Sequence, residues 1–479
     1  MEALLASVWP FGLLAGWVGV SGWASAHAIL SKRDARAAIS WTGLIWLVPY
    51  FGALLYLLLG INRVQRRAHR LRAGTARYRA GAPPEATATK RLLAADLPSH
   101  AVQLATFVKS VTTRPLLDGN LVVALENGDE AYPVMLEAIE SAEHSVWLMS
   151  YIFDDSAVGK QFVQALARAH QRGLHVRVLI DDAGAMDSDA DRLLEDEGVL
   201  VERFLPARLS RRLAHFNLRN HRKVLVVDGR LGFTGGMNIH MGHVLAQCPP
   251  WPVRDVHFRV EGPVVAHLKE VFAEDWEFTT GEAILTELEW PVLERVGPIA
   301  ARGVADGPDE LGGGVRLALL GALACAQSSV KIVTPYFLPD QPVIVALCVA
   351  GLRGVQIDLV LPEQSDVRLV DFATRAQLWQ MMSPGIRVWC ARPPFDHSKF
   401  MVVDQYWSFI GSANWDARSL RLNFEFNLEC YDKQLAATLT RLAAQRIEHS
   451  REILLEELDA RPLPTRLRDG ICRLMAPYL

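Results

Sequence analysis

The sequence predicts an α/β protein: an N-terminal hairpin of two transmembrane helices, then two duplicated domains, each a mixed β-sheet flanked by helices. Three observations carry this. Two uncharged apolar runs, Leu4 to Ala26 and Ile39 to Ile61, each exceed the roughly 20 residues a spanning helix needs. The rest of the chain is self-similar, with SVWLMSYIF (145–153) matching SVKIVTPYF (329–337) and RGLHVRVLID (172–181) matching RGVQIDLVLP (353–362). In each copy a β-branched strand, an alanine-rich helical stretch and a second buried strand alternate, as in a sheet covered by helices on both faces.

Taken in order, residues 1–65 form the hairpin. The Met-Glu start lacks the positive region of a cleavable signal, and a second apolar run follows the first. The connection SKRDAR carries three basic residues and one acid, whereas NRVQRRAHRLR after the second run carries five arginines in eleven residues. Positive charge stays inside, so everything beyond the hairpin is expected in the cytoplasm. Residues 66–110 read as a linker, with an alanine-, proline- and charge-rich tether at 73–100. The first repeat domain is expected at 111–300 and the second at 301–479, divided by the glycine- and proline-rich stretch 296–316. In the second, AATLTRLAAQRIEHSREILLEEL reads as one long amphipathic helix, and 463–479 as a short terminal helix, with packing on the body favoured over a separate membrane contact for LRDGICRLMAPYL.

Composition narrows the function. A net charge of −3 and a pI near 6.5 give no overall basic field, against nucleic acid as partner. Six scattered cysteines without a C-x-x-C pair fit neither a disulfide framework nor a zinc site.

The chemistry lies in HRKVLVVD (221–228) and HSKFMVVD (397–404), each followed at the same offset by FTGGMN (233–238) or FIGSAN (409–414). Residues i and i+2 of a strand share a face, so His221 and Lys223 project together, as do His397 and Lys399. Only nine of fifty basic residues are lysine, yet lysine takes this place both times, as if a compact charge were required. Two lysines would repel a metal cation, and no zinc-ligand pattern is present. The set suits an anion: the lysines, Asn238 and Asn414 would hold the non-bridging oxygens of a phosphodiester, Ser412 adding a hydroxyl that Gly236 lacks. One histidine would attack phosphorus while the other protonates the leaving alkoxide and later deprotonates the acceptor. Each imidazole needs its second nitrogen held by a carboxylate; Asp255 and Glu425 lie suitably downstream. Asp228 and Asp404 complete the catalytic motif, although both end strands and a turn role is favoured over direct chemistry. The stretch RLSRRLAHFNLRNHRK, with Arg208, Arg211, Arg212, Arg219 and Arg222, suits anionic headgroups, a solvated basic loop being the plain alternative.

Paired H-x-K-x4-D motifs with GGxN or GSxN resemble the phospholipase D superfamily. More narrowly, WLVPYFGALLYLLLG, NLRNHRKVLVVDG, TPYFLPD and NWDARSLRLNFE resemble bacterial cardiolipin synthases over nearly the whole chain. The resemblance implies an inner-membrane, multi-pass phosphatidyltransferase needing no metal or other cofactor, with His221 as nucleophile and His397 as acid/base. It implies transfer of a phosphatidyl group from one phosphatidylglycerol to another, releasing glycerol. The alternative is a hydrolytic membrane phospholipase D producing phosphatidic acid, since water and alcohol attack the same intermediate.

Overall fold

The computed structural model describes residues 2–32, 35–60, 98–112, 114–205, 218–284, 293–307 and 313–476. The chain divides into two compact units, Met1–Arg67 and Ala68–Leu479.

In the first unit an apolar helix runs from Glu2 to Ser31, about 45 Å at 1.5 Å per residue. Its segment Phe11–Ser31 is, among the described residues, the one helix long and apolar enough to cross a membrane. The second apolar run is not one helix. It folds as Ala35–Leu47, breaks at Val48–Tyr50, and resumes as Phe51–Leu55 and a π-helical turn Tyr56–Gly60. Pro49 accounts for the break, because its ring displaces the preceding turn and it has no N–H to donate. The pieces pack through Ala24, Ala28, Ile45, Ala53 and Tyr56, and the Tyr56 hydroxyl lies 2.7 Å from His27 Nδ1. Gly52 permits the close approach after the break, since a Cβ there would lie 2.3 Å from the Leu44 carbonyl oxygen.

The second unit opens on the helix Ser99–Val111, whose Ala101, Leu104, Ala105 and Val108 are buried in the core of the second repeat. Of the expected linker 66–110, residues 66–97 lie outside the described residues, and its end is core helix instead of tether. The first repeat contributes β1 (Leu117–Glu126), β2 (Ser145–Ser150), β3 (His175–Asp181), β4 (Leu200–Phe204), β5 (Val224–Val227), β6 (Leu231–Gly235), β7 (Val253–Arg254) and β8 (Val256–Glu261). The second contributes β9 (Ile299–Asp306), β10 (Ser329–Val333), β11 (Phe337–Leu338), β12 (Gln356–Pro362), β13 (Ile386–Ala391), β14 (Phe395–Asp396), β15 (Phe400–Val403), β16 (Trp407–Gly411), β17 (Trp415–Asp416), β18 (Glu425–Tyr431) and β19 (Ser450–Glu452).

Fifteen of these strands form one mixed sheet, in the order β19-β13-β12-β10-β15-β16-β18-β9-β1-β8-β6-β5-β2-β3-β4. Read outward from the central β9/β1 pair, the order is the same on both sides, β8-β6-β5-β2-β3-β4 answering β18-β16-β15-β10-β12-β13. The duplication is therefore a structural one. In each half the outer steps (β2/β3/β4 and β10/β12/β13) are parallel and the inner ones antiparallel. Parallel steps need crossover helices, and Ala157–Gln171 and Gln341–Leu352 supply them from the alanine-rich stretches.

Two expectations change. The stretch 296–316 contains β9, eight buried residues at the middle of the sheet, with Gly303 inside the strand and the other glycines on either side of it. The long C-terminal helix stops at Glu448, and Ser450–Glu452 turns back as β19 to pair with Trp389–Ala391 of β13. That pairing covers a sheet edge which would otherwise leave a row of unpaired backbone groups.

Candidate active site

Two short crossings between the repeats assemble the site. β14 pairs in parallel with β7, so that the His397 N–H donates to the Arg254 carbonyl at 2.7 Å. On the other side Asn220 bridges Phe424, and the His221 N–H donates to the Phe424 carbonyl at 2.9 Å. Each motif histidine is thereby laid beside the strand that carries the other repeat's carboxylate. His221 Nδ1 is 3.1 Å from Glu425 Oε2, and His397 Nδ1 is 2.9 Å from Asp255 Oδ2. Both carboxylates are fully buried. With Nδ1 held, Nε2 of each ring is left for chemistry.

The lysines follow the same two-fold pattern: Lys223 Nζ donates to the His221 carbonyl at 2.7 Å, and Lys399 Nζ to the His397 carbonyl at 2.6 Å. Burial lowers Lys223 to about 7 and Lys399 to about 8; the charge of Lys399 adds to the lowering of Lys223, and both lysines add to that of His397. Burial also lowers both motif histidines, His397 well below its ordinary range. Asp255 is pushed up by burial to about 6. Burial pushes Glu425 up as well, but His221, Lys223 and the Ser412 hydroxyl outweigh it and hold it below the ordinary carboxylate range. Burial thus disfavours the charged form of all four cation-forming groups.

Asn238 and Asn414 are both buried, each in its own repeat's turn; Asn238 Oδ1 accepts from Ile152 N–H, and Asn414 Oδ1 has no hydrogen-bond partner among the described residues. Ser412 does not point its hydroxyl at a substrate. It donates to Glu425 Oε2 at 2.5 Å and accepts from Phe426 N–H, so the expected phosphate contact becomes a brace for the carboxylate. The asymmetry with Gly236 has a steric reason: a Cβ there would lie 2.5 Å from Asp255 Oδ1. The shorter aspartate sits where the serine side chain would be.

Asp228 and Asp404 stand apart from this chemistry. Each follows its strand in the left-handed region (φ 52° and 49°), some seven residues and roughly 20 Å of extended chain from the motif histidine. Asp228 accepts from the N–H groups of Glu143, His144 and Ser145, and Asp404 from those of Gln327, Ser328 and Ser329. They tie the ends of β5 and β15 to the starts of β2 and β10, so their place in the catalytic set is corrected to a structural one.

Arg222 is corrected too. It is fully buried, pairs through Nη1 with both oxygens of Asp275 at 2.7 Å, and donates to the carbonyls of Glu425 and Asp306, so no headgroup reaches it. Arg208, Arg211 and Arg212 lie outside the described residues. Sequence reasoning missed Tyr151, whose ring lies 5.3 Å from that of His221 and 5.2 Å from Lys223 Nζ, and Tyr336, 6.3 Å from the His397 ring. Both sit in the matched strand segments but one position out of step, so superposing the repeats does not pair them. His243 was also missed; its ring is 6.5 Å from His397, and burial lowers it to about 3.

A duplicated mixed sheet thus brings two buried His-Lys pairs together, each histidine held by the other repeat's carboxylate, a donor set suited to holding an anion. Comparison with known proteins narrows this. Residues 135–276 and 319–447 match the family described as "Cardiolipin synthase, PLD-like domain", and 19–60 match "Phospholipase_D-nuclease N-terminal". Cardiolipin synthase A of Pseudomonas putida is 33% identical, covering 98% of each chain. Cardiolipin synthase of Geobacillus kaustophilus is 30% identical over 94% of this chain and 90% of its own. Among solved structures, phosphatidylserine synthase of Haemophilus influenzae shares the fold (TM-score 0.58, 16% identity), covering 79% of this chain and all of that one. The chain belongs to the cardiolipin synthase family of phospholipase D-like proteins.

Proposed function

We propose that the chain makes cardiolipin by joining two phosphatidylglycerol molecules. His221 Nε2 attacks phosphorus of the first; the bond from phosphorus to the glycerol oxygen breaks, and that oxygen takes the proton of His397 Nε2. In the second step neutral His397 removes the proton from a hydroxyl of the second phosphatidylglycerol, its oxygen attacks phosphorus, and the bond to His221 breaks. One phosphodiester replaces another, so atoms and charge balance without nucleotide or redox partner. Lys223, Lys399, Asn238 and Asn414 hold the phosphoryl oxygens. Glu425 and Asp255 position the imidazoles, and Ser412 positions Glu425. The apolar segments at 1–65 form a hairpin of two helical arms, the second broken at Pro49, in a bacterial inner membrane, and the domains 111–300 and 301–479 lie in the cytoplasm.

The observation that carries this reading is the crossed pair of histidine–carboxylate contacts, which makes one site with two imidazoles of different surroundings. Family membership supports the synthase over the hydrolase. The test is mass spectrometry of products after incubating detergent-solubilised protein with phosphatidylglycerol alone, with chelator and without nucleotide. Cardiolipin with equimolar glycerol is expected; phosphatidic acid alone would establish the hydrolase instead.

A further inference from the structure

The helix Leu463–Leu474 presents two faces. Its inner face, through Asp469 and Cys472, is buried against the helix Arg368–Gln377: Cys472 packs with Ala373 and Leu338, joined by Phe372 and Ala476. Asp469 is held there by Arg461 and Arg468. The outer face is apolar and open, with Leu463 68%, Leu467 58%, Ile471 62% and Leu474 80% exposed. These residues fall at i, i+4, i+8 and i+11, one stripe along the helix. Arg468 flanks the stripe on one side and Arg466 and Arg473 on the other by helical position. A stripe of four large aliphatic side chains is costly to hold in water. Arginines bordering it can lay their stems on apolar material while keeping their charge at a polar boundary.

We infer that this helix is an interfacial membrane-docking element, lying in the plane of an anionic bilayer with Leu463, Leu467, Ile471 and Leu474 in the acyl boundary and Arg466 and Arg473 among lipid phosphates. Arg461 and Arg468 are taken up by Asp469, and Arg466 and Arg473, bordering the stripe, give the charge complementarity. Its position adds a purpose that rests on the lipid-substrate reading. Leu338, on which the helix sits, is two residues from Tyr336, whose ring lies beside His397 and whose hydroxyl donates to Asp366 at 2.5 Å. Docking this helix sets the His397 side of the pocket against the surface from which lipid enters. The sequence expectation that the terminal helix packs on the body describes only its inner face.

The test uses full-length protein in nanodiscs of phosphatidylcholine with or without phosphatidylglycerol. A Cys248→Ser/Ile471→Cys variant carries a polarity-sensitive nitrobenzoxadiazole label at the stripe. A blue-shifted emission, quenched by spin-labelled acyl chains and stronger with phosphatidylglycerol, is expected. Independently, Leu467→Asp/Ile471→Asp, outward-facing changes that leave the buried face intact, should slow cardiolipin formation from long-chain lipid in bilayers at least about tenfold. The same variant should match wild type on dispersed short-chain phosphatidylglycerol. Unshifted emission, or equal losses on both substrates, would overturn the proposal. So would a shift in detergent alone that grows with protein concentration, since a second copy would then cover the stripe. If wild type makes no cardiolipin from dispersed lipid, the functional reading fails, while the emission measurement still decides the docking.

Discussion

Replacing each positioning carboxylate by its amide separates the two histidines. In Asp255→Asn and Glu425→Gln the side chain keeps its shape but loses its charge, and its NH2 can donate to Nδ1, which drives the imidazole proton onto Nε2. The contacts at stake are 2.9 Å and 3.1 Å and fully buried on the carboxylate side. A hydrogen bond to a charged group contributes about 1.5–3 kcal/mol, so each change should slow the step that uses its histidine by about 10- to 150-fold. Because the pairs cross between repeats, Asp255→Asn should disable His397 although it lies in the first repeat. Rapid-quench kinetics with a phosphatidyl donor whose leaving group departs as a stable anion resolves this, since that donor needs no general acid. Asp255→Asn should then release one equivalent in a near-normal burst and stall as phosphohistidine. Glu425→Gln should lack the burst. The opposite pattern would make His397 the nucleophile, and normal bursts followed by normal turnover in both would refute the positioning role altogether.

Other consequences are quicker to check. Lysines are cationic below their pKa, so with Lys223 lowered to about 7 and Lys399 to about 8, kcat/KM for the anionic donor should fall as pH rises through that window; a flat profile from pH 6 to 9 would contradict it. Lys223→Arg should lose at least about tenfold in kcat/KM with the fold retained by circular dichroism, because the larger fork must fit a buried place between the His221 carbonyl and the Tyr151 ring. Gly236→Ser, which restores the hydroxyl of the other repeat, should reduce activity by displacing Asp255, and a gain would show that the pocket has room. Asp404→Ala strips an acceptor from three backbone N–H groups. It should lower stability by about 2–3 kcal/mol in chemical denaturation, with specific activity of the folded fraction unchanged.

Much of the site was legible because the chain spells it twice. Repetition picked out His221, Lys223, His397 and Lys399 where one motif would have been ambiguous, and equal offsets extended the match to Asn238 and Asn414. The crossing of Asp255 and Glu425 was not legible, since it depends on the two-residue pairing of β7 with β14 and on the Asn220–Phe424 bridge, contacts too short to leave a pattern. The same limit explains Ser412: a serine in a glycine turn looks like a phosphate ligand until the carboxylate beside it is placed. Arg222 sits among arginines in sequence, yet strand geometry turns it inward onto Asp275. In the sheet, buried strands were readable from branched apolar runs, whereas β9 was hidden because IAARGVAD has little β-branched character and glycine-rich chain on either side. The second apolar run was long enough for a span by count, but Pro49 decides its local structure.

The electrostatics explain why the site is built from both repeats. Two lysines and two histidines in one buried pocket repel one another, and burial disfavours every charge among them. A single repeat could bury its own His-Lys pair, but its histidine would face no carboxylate, because the partner comes from the other repeat. The fully buried Arg222–Asp275 pair reinforces this dependence, since Arg222 also donates to the carbonyls of Glu425 and Asp306 in the second repeat. Breaking such a pair costs about 3–5 kcal/mol, so the strand carrying Glu425 is anchored by the first repeat. With the frame fixed in this way, entry of a phosphodiester supplies the missing negative charge and raises the proton affinity of all four groups together. In the proposed reaction a bound phosphodiester would thus raise the proton affinity of His397, the group assigned to protonate the leaving glycerol.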